Sequence, residues 1–276
     1  MKKTDGRINF LGNKIVSTSK DQLLDSLFTQ VESGKKTKIV FTPNPEQLVY
    51  AKSHSSFGKS LAKADYLLPD GMGIIIGSQI ISAFGKEEPI LERITGVDVV
   101  EKLLEKFTDQ KVLIIGGREY SGLKFKNWKV VDAVKKSTSV AKSKSGVTKK
   151  SSKRKHVLFW HEGFLNVSQP TKEEKDVLLT VVEKLKPDVI FVALGAPYQE
   201  EWSIKNKKAL ESLGVKLVMV VGGAFDMLLG KVQRAPKWMQ KMGLEWFYRL
   251  YKEPWRWRRQ VKLLEFVKMV VQEVLR

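Results

Sequence analysis

The chain has 276 residues, 42% hydrophobic and 29% charged, which excludes disorder throughout and provides a sizeable core for one large domain or two small ones. With no cysteine it has no disulfides, thiolate metal sites or cysteine nucleophiles, which fits a reducing cytoplasm. Its net charge of +19 asks for an anionic partner and is unevenly spread: nine Lys/Arg and no acid in residues 135–155, twelve Lys/Arg against four Glu in residues 231–276, and a net of +2 elsewhere.

The opening stretch, MKKTDGRINFLGNKIV, has no apolar h-region, and nowhere do about 18 apolar residues run uninterrupted, so neither a signal peptide nor a membrane-spanning helix is expected. From Lys38 to Val221 short β-branched runs (KIVFT, DYLLP, KVLIIGG, HVLFW, DVIFVALG, KLVMVVGG) alternate with helical patterns at Glu46–Ala62, Gly71–Ser82, Gly96–Phe107, Thr171–Leu185 and Gln199–Ser212. Nearly all-apolar strands are buried on both faces. The expected fold is therefore α/β: a Rossmann-like parallel or mixed sheet between helix layers, with its ligand crevice at the strand ends. Thr171 to Glu174 has the pattern of a capping box. Residues 135–155, rich in Lys and Ser, read as a flexible insertion. Past Gly230 no further strand is expected; Pro236–Met242, Leu244–Tyr251 and Pro254–Leu275 read as helices, the last with Leu263, Leu264, Val267, Val270, Val271 and Val274 along one face. The division expected is a core over 1–230 and a basic helical appendage over 231–276.

The three histidines have no metal-ligand spacing, and there is no Asp-x-Asp pair, nucleophile elbow or P-loop, so neither a bound metal nor a cofactor is expected. Sharp clusters stand instead at the strand ends. Thr42-Pro43-Asn44-Pro45-Glu46 follows the first run, where Asn44 is either a helix cap or a ligand contact. Pro69-Asp70-Gly71-Met72-Gly73 follows the second, and Asp70 reads either as an N-cap or as a general base in the crevice. Gly116-Gly117, Gly195-Ala196-Pro197-Tyr198-Gln199-Glu200 and Gly222-Gly223-Ala224-Phe225-Asp226 close the later runs. Gly71-x-Gly73-x-x-x-Gly77 imitates a dinucleotide fingerprint. In the tail, Trp238, Trp246, Trp255 and Trp257 are interleaved with Arg234, Arg249, Arg256, Arg258 and Arg259, a pattern that suits a bilayer surface or a diphosphate.

Taken in order, these clusters resemble the WecG/TagA/CpsF family of bacterial glycosyltransferases. The resemblance rests also on Glu92-Arg93-Ile94-Thr95-Gly96-Val97-Asp98, on Gly230-Lys231-Val232-Gln233-Arg234-Ala235-Pro236-Lys237-Trp238, and on Gly243-Leu244-Glu245-Trp246-Phe247-Tyr248-Arg249-Leu250, continuing to Glu253-Pro254 and Arg256. It covers roughly residues 8–260, interrupted at 120–155, and His161-Glu162-Gly163-Phe164 resembles a degenerate His-x-Gly-Tyr segment. It implies an inverting, metal-independent transfer of an N-acetylmannosamine-type sugar from a UDP donor to a polyprenyl-diphosphate-linked acceptor, in teichoic acid or surface polysaccharide synthesis. The implied location is cytoplasmic, at the inner, anionic membrane surface; self-association is left open.

On that footing Asp70 is expected to be the general base, and Arg93 a second catalytic residue, near the donor with Gln199. Thr42, Asn44, Gly71, Gly116, Gly195, Gln199, Glu200, Gly222, Gly223 and Asp226 are expected to bind substrate. Arg234, Arg249 and Arg256 are expected to hold the diphosphate, and Trp255, Trp257, Arg258 and Arg259 to touch the membrane. Two other classes compete: an NAD-type oxidoreductase using the Gly71 fingerprint, and a nonenzymatic RNA-binding protein using the basic insertion.

Overall fold

A computed structural model describes residues 6–135, 156–254 and 257–276, without the side chains of 258–260. Most of the 135–155 insertion, Trp255, Arg256 and the side chains of Arg258 and Arg259 thus lie outside the described residues. The N-terminal half contains β1 (Arg7–Phe10), β2 (Asn13–Val16), α1 (Lys20–Ser33), β3 (Lys38–Phe41), α2 (Pro45–Ser53), α3 (Ser55–Ala62), β4 (Tyr66–Leu67), α4 (Met72–Ala83), α5 (Gly96–Lys106), β5 (Val112–Gly116), β6 (Lys124–Phe125) and β7 (Trp128–Asp132). There follow β8 (His156–His161), α6 (Lys172–Leu185), β9 (Val189–Ala193), α7 (Tyr198–Ser212), β10 (Leu217–Val220), α8 (Ala224–Leu228), α9 (Lys237–Lys241), α10 (Glu245–Lys252) and α11 (Trp257–Leu275).

One ten-stranded sheet runs β1-β2-β4-β3-β10-β9-β5-β8-β7-β6. From β2 to β7 all neighbours are parallel, and an antiparallel hairpin closes each edge. Side chains alternate between the two faces, as the pleat requires. Ile39, Phe41, Leu113, Ile115, Ile190, Val192, Val218 and Val220 meet the layer of α2, α3, α4, α6, α7 and α11. Val40, Val112, Ile114, Leu158, Val189, Phe191, Leu217 and Met219 meet α1, α5 and α8. Both faces are covered, which is why these strands read as unbroken apolar runs.

Three expectations change. The helix expected over Glu46–Ala62 is two helices, because His54 is extended at φ −124° and ψ 93° within a Ser-His-Ser-Ser run whose side chains compete for the backbone. The edge hairpins were not foreseen: in the first, Leu11 and Gly12 both take positive φ, the backbone of a two-residue turn. The face of α11 is also turned. Phe266 and Val270 enter the core beside Phe10 and Gly77, while Leu264, Val267 and Val271 lie on the exposed side.

Candidate active site

Because the central strands are parallel, their C-terminal ends share one edge of the sheet. This edge carries Thr42 after β3, Asp70 after β4, Gly116 at the end of β5, Gly195 after β9, and Gly222 and Gly223 after β10. A cavity of about 470 Å³ opens there. Asn44, Asp70, Gly71, Arg93 and Arg249 line it together with Thr95, Glu245 and Trp246 from the loop before α5 and from α10.

Asp70 does not cap the helix that follows it. The N-cap of α4 is Gly71, at φ +128°, with no side-chain bond, and the Asp70 carboxylate instead accepts from the amide of Gly96 across the pocket at 3.2 Å. Thr95 caps α5, accepting from the Asp98 amide. Burial pushes the Asp70 carboxyl up to about 6; the Gly96 amide, Arg93 and Arg249 pull the other way, and the charge of Glu245 adds to the rise. A carboxylate so poised is ionised at neutral pH yet basic enough to accept a proton.

Asn44 both caps α2 and lines the cavity. Its Oδ1 accepts from the Gln47 amide at 2.9 Å, while Gln47 Oε1 accepts from the Asn44 amide at 3.1 Å. Thr42 donates to the Val220 carbonyl and sets its methyl against Gly96.

The outer wall is ionic. Glu245 Oε1 accepts from Arg234 Nε at 3.2 Å and lies 3.8 Å from Arg249 Nη2, while Glu245 Oε2 lies 3.6 Å from Arg93 Nη2. Arg234 also pairs with Asp98 at 2.8 Å. Burial works against the Arg234 charge, but Asp98 and Glu245 more than offset it and raise its pKa. Glu245, which joins the three arginines, and Gln47, which holds Asn44, have no role assigned from sequence. The visible signal for Glu245 was its place four residues before Arg249, the spacing of an ion pair on one helix face.

The other expected positions lie away from this cavity. Gly116, at φ +98°, sits so close to β9 that an added Cβ would come within 2.5 Å of the Ala193 carbonyl oxygen. Gly195 and Gly222 face open space, and Asp226 accepts from the Tyr120 hydroxyl at 2.7 Å. Gln199 and Glu200 are 4% and 1% exposed, so in this conformation they offer a ligand almost no surface. The fingerprint glycines serve packing: a Cβ on Gly73 would stand 2.7 Å from Pro45, and one on Gly77 3.0 Å from Val270. Trp257 is 58% exposed. Among the described residues no three His, Asp or Glu side chains gather as a metal site requires, and no helix is long and apolar enough to cross a membrane.

Comparison with known proteins identifies relatives of the whole chain. The family described as "Glycosyl transferase WecG/TagA/CpsF family" matches residues 8–276. A relative from Bacillus subtilis (strain 168), named N-acetylglucosaminyldiphosphoundecaprenol N-acetyl-beta-D-mannosaminyltransferase, is 27% identical over 260 residues, covering 94% of this chain and 88% of its own length. Proteins of the same name from Bacillus spizizenii (strain ATCC 23059 / NRRL B-14472 / W23) and Staphylococcus aureus (strain MRSA252) are 26% and 25% identical. They cover 96% and 88% of this chain, and 89% and 84% of their own lengths.

Proposed function

The chain belongs to the WecG/TagA/CpsF family of glycosyltransferases, and on that premise we propose that it moves an N-acetylmannosamine-type sugar from a UDP donor to a polyprenyl-diphosphate-linked acceptor, with inversion and without a metal, in teichoic acid or surface polysaccharide synthesis. The donor sugar and the lipid acceptor follow the names of its relatives. The observation that carries the chemistry is the meeting of a carboxylate raised to about 6 and three arginines around one cavity, Arg93 and Arg249 in its lining and Arg234 behind them on Glu245.

In this reading Asp70 takes the proton of the acceptor hydroxyl as that oxygen attacks the anomeric carbon. The bond from that carbon to the diphosphate breaks on the opposite face, and UDP departs carrying the negative charge. Arg234, Arg249 and Arg256 neutralise that charge, work that a divalent cation does in other transferases. Thr42 and Asn44 orient the sugar. Residues 1–230 form the catalytic core and residues 231–276 an appendage that completes the pocket. The tail's Trp255, Trp257, Arg258 and Arg259 attach the enzyme peripherally to an anionic cytoplasmic membrane face.

The test is turnover of UDP-N-acetylmannosamine with an acceptor analogue bearing N-acetylglucosamine on a lipid diphosphate, run with and without EDTA. Equal turnover in both arms is expected. Loss of activity in EDTA, restored by magnesium, would contradict the assignment of the arginines; no turnover with any UDP-sugar would contradict the reading as a whole.

A further inference from the structure

Glu200 is a carboxyl group with almost no contact with solvent, at 1% exposure, and its Oε2 is buried without a hydrogen-bond partner. An orphaned buried oxygen costs stability, so what its partner oxygen holds needs explaining. Glu200 Oε1 accepts two amides at once: Gln47 Nε2 at 2.9 Å and Gln199 Nε2 at 3.1 Å. Each amide side chain turns its own oxygen to the backbone of a strand-end segment. Gln199 Oε1 accepts from the Gly195 amide in the turn after β9, and Gln47 Oε1 accepts from the Asn44 amide at the cap of α2. Since β10 lies between β9 and β3, the chain Gly195, Gln199, Glu200, Gln47, Asn44 spans three strand ends beneath the crevice.

We propose that Glu200 is a positioning residue: through the Gln47 side chain it fixes the Asn44 backbone at the cap of α2, and with it the side chain that Asn44 presents to the cavity, and through Gln199 it fixes the Gly195 turn, locking the β3 and β9 ends of the sheet edge into one register. Nothing it does requires it to touch substrate. Both amides need only an acceptor oxygen, so a neutral side chain of the same shape serves equally. Burial, opposed by the bonds from Gln199 and Gln47, pushes the Glu200 carboxyl up to about 7, so its neutral form is already well populated near neutrality. A methyl group in its place would free both amides to rotate. A displacement of about 1 Å at a positioning contact costs up to about a hundredfold in rate.

The kinetic part of this inference rests on the transferase reading, so the experiment has two arms. In the first, turnover is measured for Glu200→Ala, Glu200→Gln, Gln47→Ala, Asn44→Ala and the double variant Glu200→Ala/Asn44→Ala. The alanine variants at 200 and 47 should lose roughly ten- to a hundredfold in kcat/KM, and Glu200→Gln should recover most of it. In the Asn44→Ala background the Glu200 substitution should cost far less than in wild type. In the second arm, hydrogen exchange at residues 44–48 and 195–199 is followed without substrate. Glu200→Ala should speed exchange at the Asn44 and Gly195 amides, with Glu200→Gln restoring protection.

Additive losses in the double variant, or unchanged exchange at Asn44 in Glu200→Ala, would overturn the proposal. If Glu200→Ala does not fold, Gln47→Ala leaves the carboxyl in place and tests the same link. A wild-type chain that turns over no UDP-sugar would refute the functional reading, and the exchange arm would still judge the positioning role.

Discussion

At the floor of the pocket Asp70 is held by a backbone amide, that of Gly96, beside strand ends whose registers are fixed by ladder hydrogen bonds and two-sided burial. On the outer wall Arg93, Arg234 and Arg249 are gathered by one carboxylate, Glu245, the buried residue of α10, a helix whose Trp246, Phe247 and Tyr251 are exposed. The two constructions suit different tasks. A proton acceptor must be held within a few tenths of an ångström of its target, and only rigid backbone does that reliably. A diphosphate must enter and leave, and arginines paired with a carboxylate can exchange one anion for another without being left unpaired. The floor should therefore tolerate little change, and the wall should discriminate by geometry more than by charge.

The largest expected effect strikes the floor. Asp70→Asn keeps the shape and the bond from Gly96 but removes the base, so turnover should fall by about a hundredfold to ten-thousandfold while UDP binding persists. In the wild type kcat/KM should rise with pH and reach half its plateau near pH 6, since the ionised carboxylate is the active form. Near-normal turnover by Asp70→Asn, or an acid limb centred near pH 4, would mean that the proton goes elsewhere.

Next in size is the wall. Arg234→Lys and Arg249→Lys preserve charge but lose the planar fork that grips two phosphate oxygens, and each should lose roughly ten- to a hundredfold in kcat/KM, equally at low and high salt. If lysine restored full activity, the wall would be acting as a diffuse cation, and the contrast with the floor would disappear.

Most of the floor was legible in the sequence because its signals are local. Apolar runs of four to six residues ending in Gly, Pro or Asp state both the strands and the edge at which they finish. The parity of Ile39 and Val40, one to each face, needs only a period of two. What stayed hidden was pairing across long separations. Asp70 read as a cap for its own helix or as a base, and nothing local reveals that its partner is the amide of Gly96, 26 residues on. The family resemblance makes Glu200 a ligand contact, and nothing local reveals that its carboxylate is instead held by Gln47, 153 residues away. The edge hairpin at Leu11-Gly12 was overlooked because its strands have four residues each, too short for a convincing alternation. In α11 the apolar positions outnumber those its neighbours can cover, so the sequence alone left its buried side undetermined.

A third test separates the buried carboxyl of the floor from the wall by its effect on stability. The folded-state pKa of Glu200, about 7, lies above its ordinary value of 4.5, so folding is favoured by the proton. The stability this provides is complete below pH 4.5 and is lost as pH rises through 7. The ionised form therefore costs about 3 kcal/mol at pH 8. Glu200→Gln, which cannot ionise, should melt several degrees above wild type at pH 8, with the gap shrinking towards pH 5. Calorimetry across that range checks it; a gap independent of pH would place the titration in another group.

The smallest effect concerns the exposed tryptophans beyond the wall, Trp238 at 59% exposure and Trp257 at 58%. Indoles settle at the headgroup level of a bilayer, and each nearby cation adds about 1 kcal/mol at an anionic surface, so removing one weakens binding roughly fivefold. Truncating the tail would be a poor test, because it would strip Phe266 and Val270 from the core beside α2 and α4 and expose apolar surface. Point variants avoid this: Trp238→Ala/Trp257→Ala should float less well than wild type with vesicles containing anionic lipid. The difference should be clearest at low salt, where wild-type binding is strongest. Turnover with a water-soluble acceptor should stay unchanged, because neither tryptophan lines the cavity. Equal flotation of the two proteins, or flotation indifferent to salt, would mean that these aromatic side chains meet something other than the membrane.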